Sequence, residues 1–285
     1  MTFRGNGQRV RSVQDLARST VEIPTAEQWI MTSSGEQRRY QIMISKPASP
    51  PPPAGYPVIY VLDANSVFGT MVEAVRLQSR RPDTTGVVPA IIVGIGYETR
   101  EPFSPHRYYD FTPMATAEYH KKPDGTPIPE QGGAAAFLQF IEEDLKPEIE
   151  QEFAIDTGKQ AIFGHSLGGL FALYVLFNRP ESFQCYIAGS PSIHWNWKYL
   201  EEAEEQFLTE LEQKNKQGTV KILFGVGELE KQHVSGNSDR AREMSRRLSS
   251  RSVRGVTVEF KEFEGEGHVS VLPALISRAL RFALD

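Results

Sequence analysis

Apolar residues fall in two rhythms along this chain. Short runs rich in β-branched residues, "VIYVLD" (Val58–Asp63) and "VVPAIIVGI" (Val87–Ile95), fit strands buried on both faces, as in a parallel sheet. Between them "NSVFGTMVEAVRLQSRR" has helical spacing, which completes a β-α-β unit. The alternation continues downstream. "QAIFG", "FQCYIAGSP", "VKILFGVGE" and "VTVEFKEFEG" read as strands. "LGGLFALYVLFNRP", "YLEEAEEQFLTELEQKNKQG", "SDRAREMSRRLSS" and "VSVLPALISRALRFALD" read as helices. "AAAFLQFIEEDLKPEIEQEF" is also helical, with Phe137, Phe140, Ile141, Leu145 and Ile149 on one face and a kink or break at Pro147. Upstream, "EQWIMTSSGEQRRYQIMIS" predicts two strands around a Ser34-Gly35 turn, and "KPASPPPPAGYP" a surface loop.

This pattern predicts an α/β fold: a mostly parallel, doubly wound sheet with an N-terminal antiparallel hairpin. One domain over residues 1–285 is the economical organisation, since no internal repeat is visible. Two stretches stand apart. The first twenty residues are polar and weakly patterned, and are expected to be loosely ordered. Residues 96–132 form a long loop dense in proline, aromatic and charged residues, expected over the active site.

Composition narrows the function classes. A net charge of −5 argues against a general nucleic-acid binder. No apolar run reaches the roughly 20 residues of a membrane span, and the N-terminus carries none of signal-peptide length. A cytoplasmic protein with no membrane partner is expected. Cys185, the single cysteine, sits in apolar surroundings and reads as a buried structural thiol, and no metal-type Cys/His spacing occurs.

The chemistry concentrates at Gly164-His165-Ser166-Leu167-Gly168, which matches G-x-S-x-G between a predicted strand and a predicted helix. That turn forces a strained backbone on the serine, so its neighbours must lack bulk. Ser166 is the candidate nucleophile. A serine hydroxyl needs a base, and the base an orienting acid, in the chain order Ser, acid, His. Of the six histidines, His194, His233 and His268 follow Ser166 at a distance. His268, after the last predicted strand, is the candidate base. His165 adjoins the nucleophile, but its side chain should point away across the tight turn. The acid should follow "VKILFGVG", where Glu230 is the candidate and Glu228 the alternative. An oxyanion needs two backbone donors. The N–H of Leu167 is one, and that of Asn65 or Ala64 the other.

With these pieces in place, the chain resembles the esterase D-like branch of the α/β-hydrolases, and within it the ferric-siderophore esterases that hydrolyse catecholate trilactones such as enterobactin and bacillibactin. "YPVIYVLDANSVF", "RYYDFTP", "IFGHSLGGLFALYVLFNRPESF", "AGSPSIHWNW", "FGVGELE" and "EGEGHVSVLP" carry the resemblance. It implies an α/β-hydrolase fold, Ser166 as nucleophile, His268 as base, an acid in "GELE", Asn65 and Leu167 as oxyanion donors, and no cofactor. Iron would enter only with the substrate. A bulky, anionic, aromatic ligand calls for cations and flat walls. Arg100, Arg107 and Tyr108 on the long loop, with Trp195 and Trp197, are the candidate substrate contacts. Ala64 replaces a glycine common in related chains, and its methyl group is expected to narrow the approach to the oxyanion site. Another carboxylesterase or acyltransferase (feruloyl, acetyl or thioester) on the same scaffold is the alternative function, and a non-catalytic siderophore-binding protein a further one.

Overall fold

A computed structural model of the protein describes residues 19–116, 118, 121–122, 125–214, 220–250 and 255–285. The expectation for the first twenty residues therefore lies, but for residues 19 and 20, outside the described residues. In chain order the elements are β1 (Ala26–Thr32), β2 (Arg39–Ser45), β3 (Tyr56–Leu62), α1 (Ala64–Gln78), the short α2 (Pro82–Thr85) and β4 (Ile91–Gly96). The one-turn α3 (Arg107–Asp110) follows, then α4 (Ala134–Gln139), a π-helical turn (Phe140–Leu145) and α5 (Lys146–Glu152). The rest are β5 (Ile155–His165), α6 (Leu167–Asn178), β6 (Cys185–Gly189), α7 (Trp197–Lys214), β7 (Val220–Gly227), α8 (Asn237–Ser250), β8 (Val256–Phe263) and α9 (Leu272–Leu284).

All eight strands join one sheet in the order β1-β2-β4-β3-β5-β6-β7-β8. The hairpin β1/β2 and its junction with β4 are antiparallel, and every later pairing is parallel. The uninterrupted apolar runs explain this. Strands β3, β4 and β6 are buried along their whole length, so both faces must be covered. On one face α1 and α9 pack together over Ile59, Val61, Phe163 and Ile187. On the other, α4 to α8 cover Tyr60, Leu62, Ile162, Tyr186 and Phe224. Helix α6 is apolar all round and buried from Leu167 to Phe177, as a helix sandwiched between sheet and outer helices must be.

Two prolines mark local departures from regularity. Pro57 cannot donate to a ladder, and the β3/β5 register shifts between Tyr56 and Val58. Pro147 would clash with the carbonyl four residues back in an α-helix, and the π-helical turn directly before it widens the backbone there. The helix thus continues through Pro147 instead of ending.

Helix α1, entered from β3, lies on one face, while α6, entered from β5, lies on the other. These two strands are neighbours, so the crevice between their carboxyl ends is a topological switch point. In open α/β sheets that is where ligands bind. The first residues of α1 and α6 face each other across it.

Candidate active site

Ser166 sits between β5 and α6 with φ 61° and ψ −118°, a conformation unfavourable for a non-glycine residue. Its N–H donates to the Gly189 carbonyl (2.9 Å), and its carbonyl accepts from Leu170 N–H and Ser192 N–H (both 3.0 Å). Gly164 is required sterically. A Cβ there would lie 2.0 Å from the Gly168 carbonyl oxygen, a distance no side chain can occupy. The sharp turn and the tight strand–helix approach are thus one feature. The Ser166 hydroxyl is hydrogen-bonded to the Ser192 hydroxyl at 3.2 Å, not to His268.

His268 lies beyond β8, five residues past Phe263. Its Nδ1–H donates to Glu230 Oε2 at 2.7 Å, which leaves Nε2 for chemistry. Glu230 is buried at the end of β7, in the short helical turn Glu228–Gln232. Its other oxygen, Oε1, accepts from Gly227 N–H (2.7 Å) and from the Ser190 hydroxyl (2.6 Å). Burial raises the carboxyl pKa, but the bonds from His268, Ser190 and Gly227 outweigh it, and the group stays below the ordinary carboxylate value. Glu228 points elsewhere and accepts from Gly265 N–H (3.0 Å), bracing the loop that carries His268. Of the two candidate acids, the structure brings Glu230 to the imidazole.

His165 is engaged differently. Its Nε2 lies 2.6 Å from the His268 carbonyl oxygen, which only accepts, so Nε2 carries the proton. Burial, followed by the charge of His268, pushes its pKa down to about 3. It remains neutral and buttresses the His268 backbone, with the two rings 4.7 Å apart.

Leu167 opens α6 and Asn65 is the second residue of α1, where the first N–H groups have no partner within the helix. The Asn65 side chain fixes its own position: Nδ2 donates to the carbonyls of Tyr97 (2.9 Å) and Thr99 (3.0 Å), and Oδ1 accepts from Tyr97 N–H (2.8 Å). The Ala64 methyl group is buried against Gly94 of β4, where an added Cβ would meet it at 2.7 Å, so it fills the space left by that glycine.

Two cavity lobes meet at Ser166 and His268. One, of about 460 Å³, is walled by Phe103, Pro105, Arg107, Tyr108, Lys122 and Val269. The other, of about 350 Å³, is walled by Ser192, His194, Leu229, His233, Ser235 and Asn237. The described part of the 96–132 loop thus supplies much of the first wall. The candidate substrate contacts are dispersed. Tyr108 lines the first lobe, with the Lys122 ammonium 5.5 Å above its ring and Trp195 5.8 Å away. Trp195 Nε1–H donates to Gln131 (2.8 Å). Arg107 borders the same lobe, but its guanidinium forms a bidentate, buried pair with Asp63 (2.9 and 2.8 Å). Arg100 is exposed and lines neither lobe. Trp197 opens α7 beneath the Arg240 guanidinium. Among the described residues no group of three or more His, Cys, Asp or Glu could hold a metal ion, and none of the described helices is long and apolar enough to cross a membrane. Burial pushes the Cys185 thiol up to about 12, which makes it unreactive.

Sequence reasoning missed Ser190, Ser192 and Asp63. The first two follow β6 in "GSPS", a place where a strand end meets the site. Asp63 directly ends "VIYVLD", but nothing local reveals its pairing with Arg107.

The model of a family described as putative esterase matches residues 33–281. The ferri-bacillibactin esterase BesA of Bacillus subtilis is 60% identical over 263 residues, covering 92% of this chain and 90% of the relative. A siderophore enterobactin esterase of Emericella nidulans is 35% identical over 79% of this chain and 80% of its own. Among solved structures, the BES protein from Bacillus cereus superposes with a TM-score of 0.87 at 47% identity, over 94% of this chain and 99% of the other.

Proposed function

The chain belongs to the putative esterase family, with an α/β-hydrolase fold, and from that premise we propose that it is a siderophore esterase working through Ser166, His268 and Glu230. The observation that carries the reading is the 2.7 Å Glu230–His268 bond, made inside the cavity where Ser166 occupies its strained turn. Glu230 fixes the Nδ1–H tautomer and stabilises the imidazolium. Rotation of the serine hydroxyl away from Ser192 lets it give its proton to His268 Nε2 as Oγ attacks the ester carbonyl. The N–H groups of Leu167 and Asn65 receive the oxyanion. Collapse expels the alcohol, protonated by His268, and leaves an acyl-enzyme. His268 then activates water to release the acid.

The substrate reading rests on the relatives named for ferri-bacillibactin and enterobactin. A ferric catecholate trilactone fits a cavity of two lobes, because a macrocyclic ester presents bulk on both sides of the scissile bond. The rings of Phe103 and Tyr108 with Lys122 suit an anionic aromatic arm. Of the other expected contacts, Arg107 borders the first lobe with its guanidinium held by Asp63, and Arg100, Trp195 and Trp197 line neither lobe. A cytoplasmic site of action goes with this reading, and cell fractionation checks that.

The test is ferri-bacillibactin with the purified protein, products read by mass spectrometry. Ring-opened ester products are expected, together with fluorophosphonate labelling that is lost in Ser166→Ala. Glu230→Gln should lower kcat by about ten-thousandfold, and Glu228→Gln by a few fold at most. An intact trilactone beside rapid turnover of simple esters would remove the siderophore assignment and keep the triad. No labelling and no turnover of any ester would leave a binding protein.

A further inference from the structure

The turn after β6 carries a residue whose conformation and contacts lack an explanation in the fold alone. Ser190 has φ 37°, in the region that favours glycine, and is 1% exposed. A glycine would take this conformation without strain, so a serine here points to a use for its hydroxyl. That hydroxyl donates to Glu230 Oε1 at 2.6 Å. The backbone around it is tied on every side. Ser190 N–H donates to Gly225 O (2.7 Å), one strand over. Its neighbours Gly189 and Ser192 bond the backbone of Ser166 at 2.9 and 3.0 Å. Gly169 of α6 packs so closely that an added Cβ would lie 3.1 Å from Pro191 Cα.

The frame that holds the nucleophile therefore also holds Ser190. Glu230, by contrast, stands on a short turn after β7 and reaches the imidazole only if its carboxylate is oriented. With Oε1 held by Ser190 and Gly227, Oε2 is left to face His268 Nδ1. We propose that Ser190 is a positioning residue that registers the Glu230 carboxylate against the Ser166 turn, and through it orients His268. The inference rests on the triad proposed above.

Its test compares wild type, Ser190→Ala, Ser190→Gly, Glu230→Gln and the double variant Ser190→Gly/Glu230→Gln, using hydrolysis of 4-nitrophenyl acetate across pH and thermal melting. Ser190→Gly relieves the backbone conformation, so it should melt no lower than Ser190→Ala, and it separates the hydroxyl from folding. Both single Ser190 variants should lose about tenfold in kcat with KM nearly unchanged, a fraction of what general-base catalysis supplies. The acid limb of kcat/KM should move from its wild-type position. In the double variant the Ser190 effect should vanish, because the hydroxyl acts through Glu230. A Ser190→Gly enzyme with wild-type kcat and pH profile, beside a crippled Glu230→Gln, overturns the proposal and leaves the triad intact. A Ser190 loss that persists in full in the double variant also overturns it. A fully active Glu230→Gln overturns the triad reading itself.

Discussion

At the scale of single residues, the buried ionisable groups beside the site make opposite contributions to stability. His165 has its pKa pushed to about 3 by burial and the neighbouring His268. The unfolded chain takes up that proton near its ordinary value of about 6.5, while the folded one does not. Stability is therefore lost as pH falls below 6.5, by about 2 kcal/mol between pH 7 and 5. Asp110 behaves in the other sense. Burial raises its pKa to about 6, against the hydrogen bonds from Tyr97 and Tyr40. The folded state binds that proton first, so stability is gained as pH falls through 6, by about 1 kcal/mol at pH 5. The second offsets part of the first. Urea midpoints at pH 7, 6 and 5 should fall more steeply in Asp110→Asn than in wild type, and flatten or rise in His165→Gln. Identical slopes in all three proteins would dispose of this account. The sequence exposed Ser166 and His268 because a nucleophile turn and a loop histidine after the last strand are local patterns. It could not choose between Glu228 and Glu230, since the choice depends on which side chain turns inward from one short turn.

At the scale of elements, α3 illustrates what sequence periodicity cannot reach. "RYYDFTP" places a cation and rings on a long loop, which reads as a ligand-facing surface. Four residues are too few to show a helical period, and the partners lie far off in sequence. Arg107 clasps Asp63, the left-handed residue that turns β3 into α1, and also reaches the His165 carbonyl at 3.4 Å. Asp110 accepts from Tyr40 and Tyr97, and the Tyr109 hydroxyl donates to Glu36 at 2.8 Å. The element is thereby fastened to the two backbones proposed to present oxyanion donors. Removing one partner of a buried pair strands the other charge, so Arg107→Met should cost about 3–5 kcal/mol and lower kcat. Arg107→Lys keeps the charge without the planar fork and should fall between. Urea unfolding and ester kinetics check this. A fully stable Arg107→Met whose only defect is a raised KM for ferri-bacillibactin would make Arg107 a substrate contact instead. The helix before β5 was legible as a helix but not as α4, a π-helical turn and α5. The response to Pro147 is set by packing of Phe137, Phe140 and Ile141 against Tyr40 and Phe171, not by local propensity.

At the scale of the whole molecule, the parallel sheet was legible because apolar runs without alternation demand cover on both faces. Its strand order was not, since Val58–Asp63 and Val87–Ile95 carry no mark that β3 lies between β4 and β5. The same topology argues that the chain is a single cooperative domain. Helix α9, at the end of the sequence, packs on α1 near its beginning and on β5, β6 and β7 in the centre. Its residues Ala279, Leu280, Phe282 and Leu284 are buried in the cluster that holds Val61, Phe68 and Phe163. Arg278 adds an ion pair to Glu259 on edge strand β8. Deleting residues 278–285 removes three large buried apolar side chains, Leu280, Phe282 and Leu284, each contributing about 1.5–3 kcal/mol, and uncovers the partner surface on α1. That loss, roughly 5–9 kcal/mol, is comparable to the whole stability of a typical domain. The truncated chain should therefore show no cooperative melt and no near-UV circular dichroism, with the N-terminal half unfolding along with the rest. If it instead keeps a sharp transition and native-like signal from Trp29 in β1, then α9 is an appendage, and residues 1–285 do not fold as one unit.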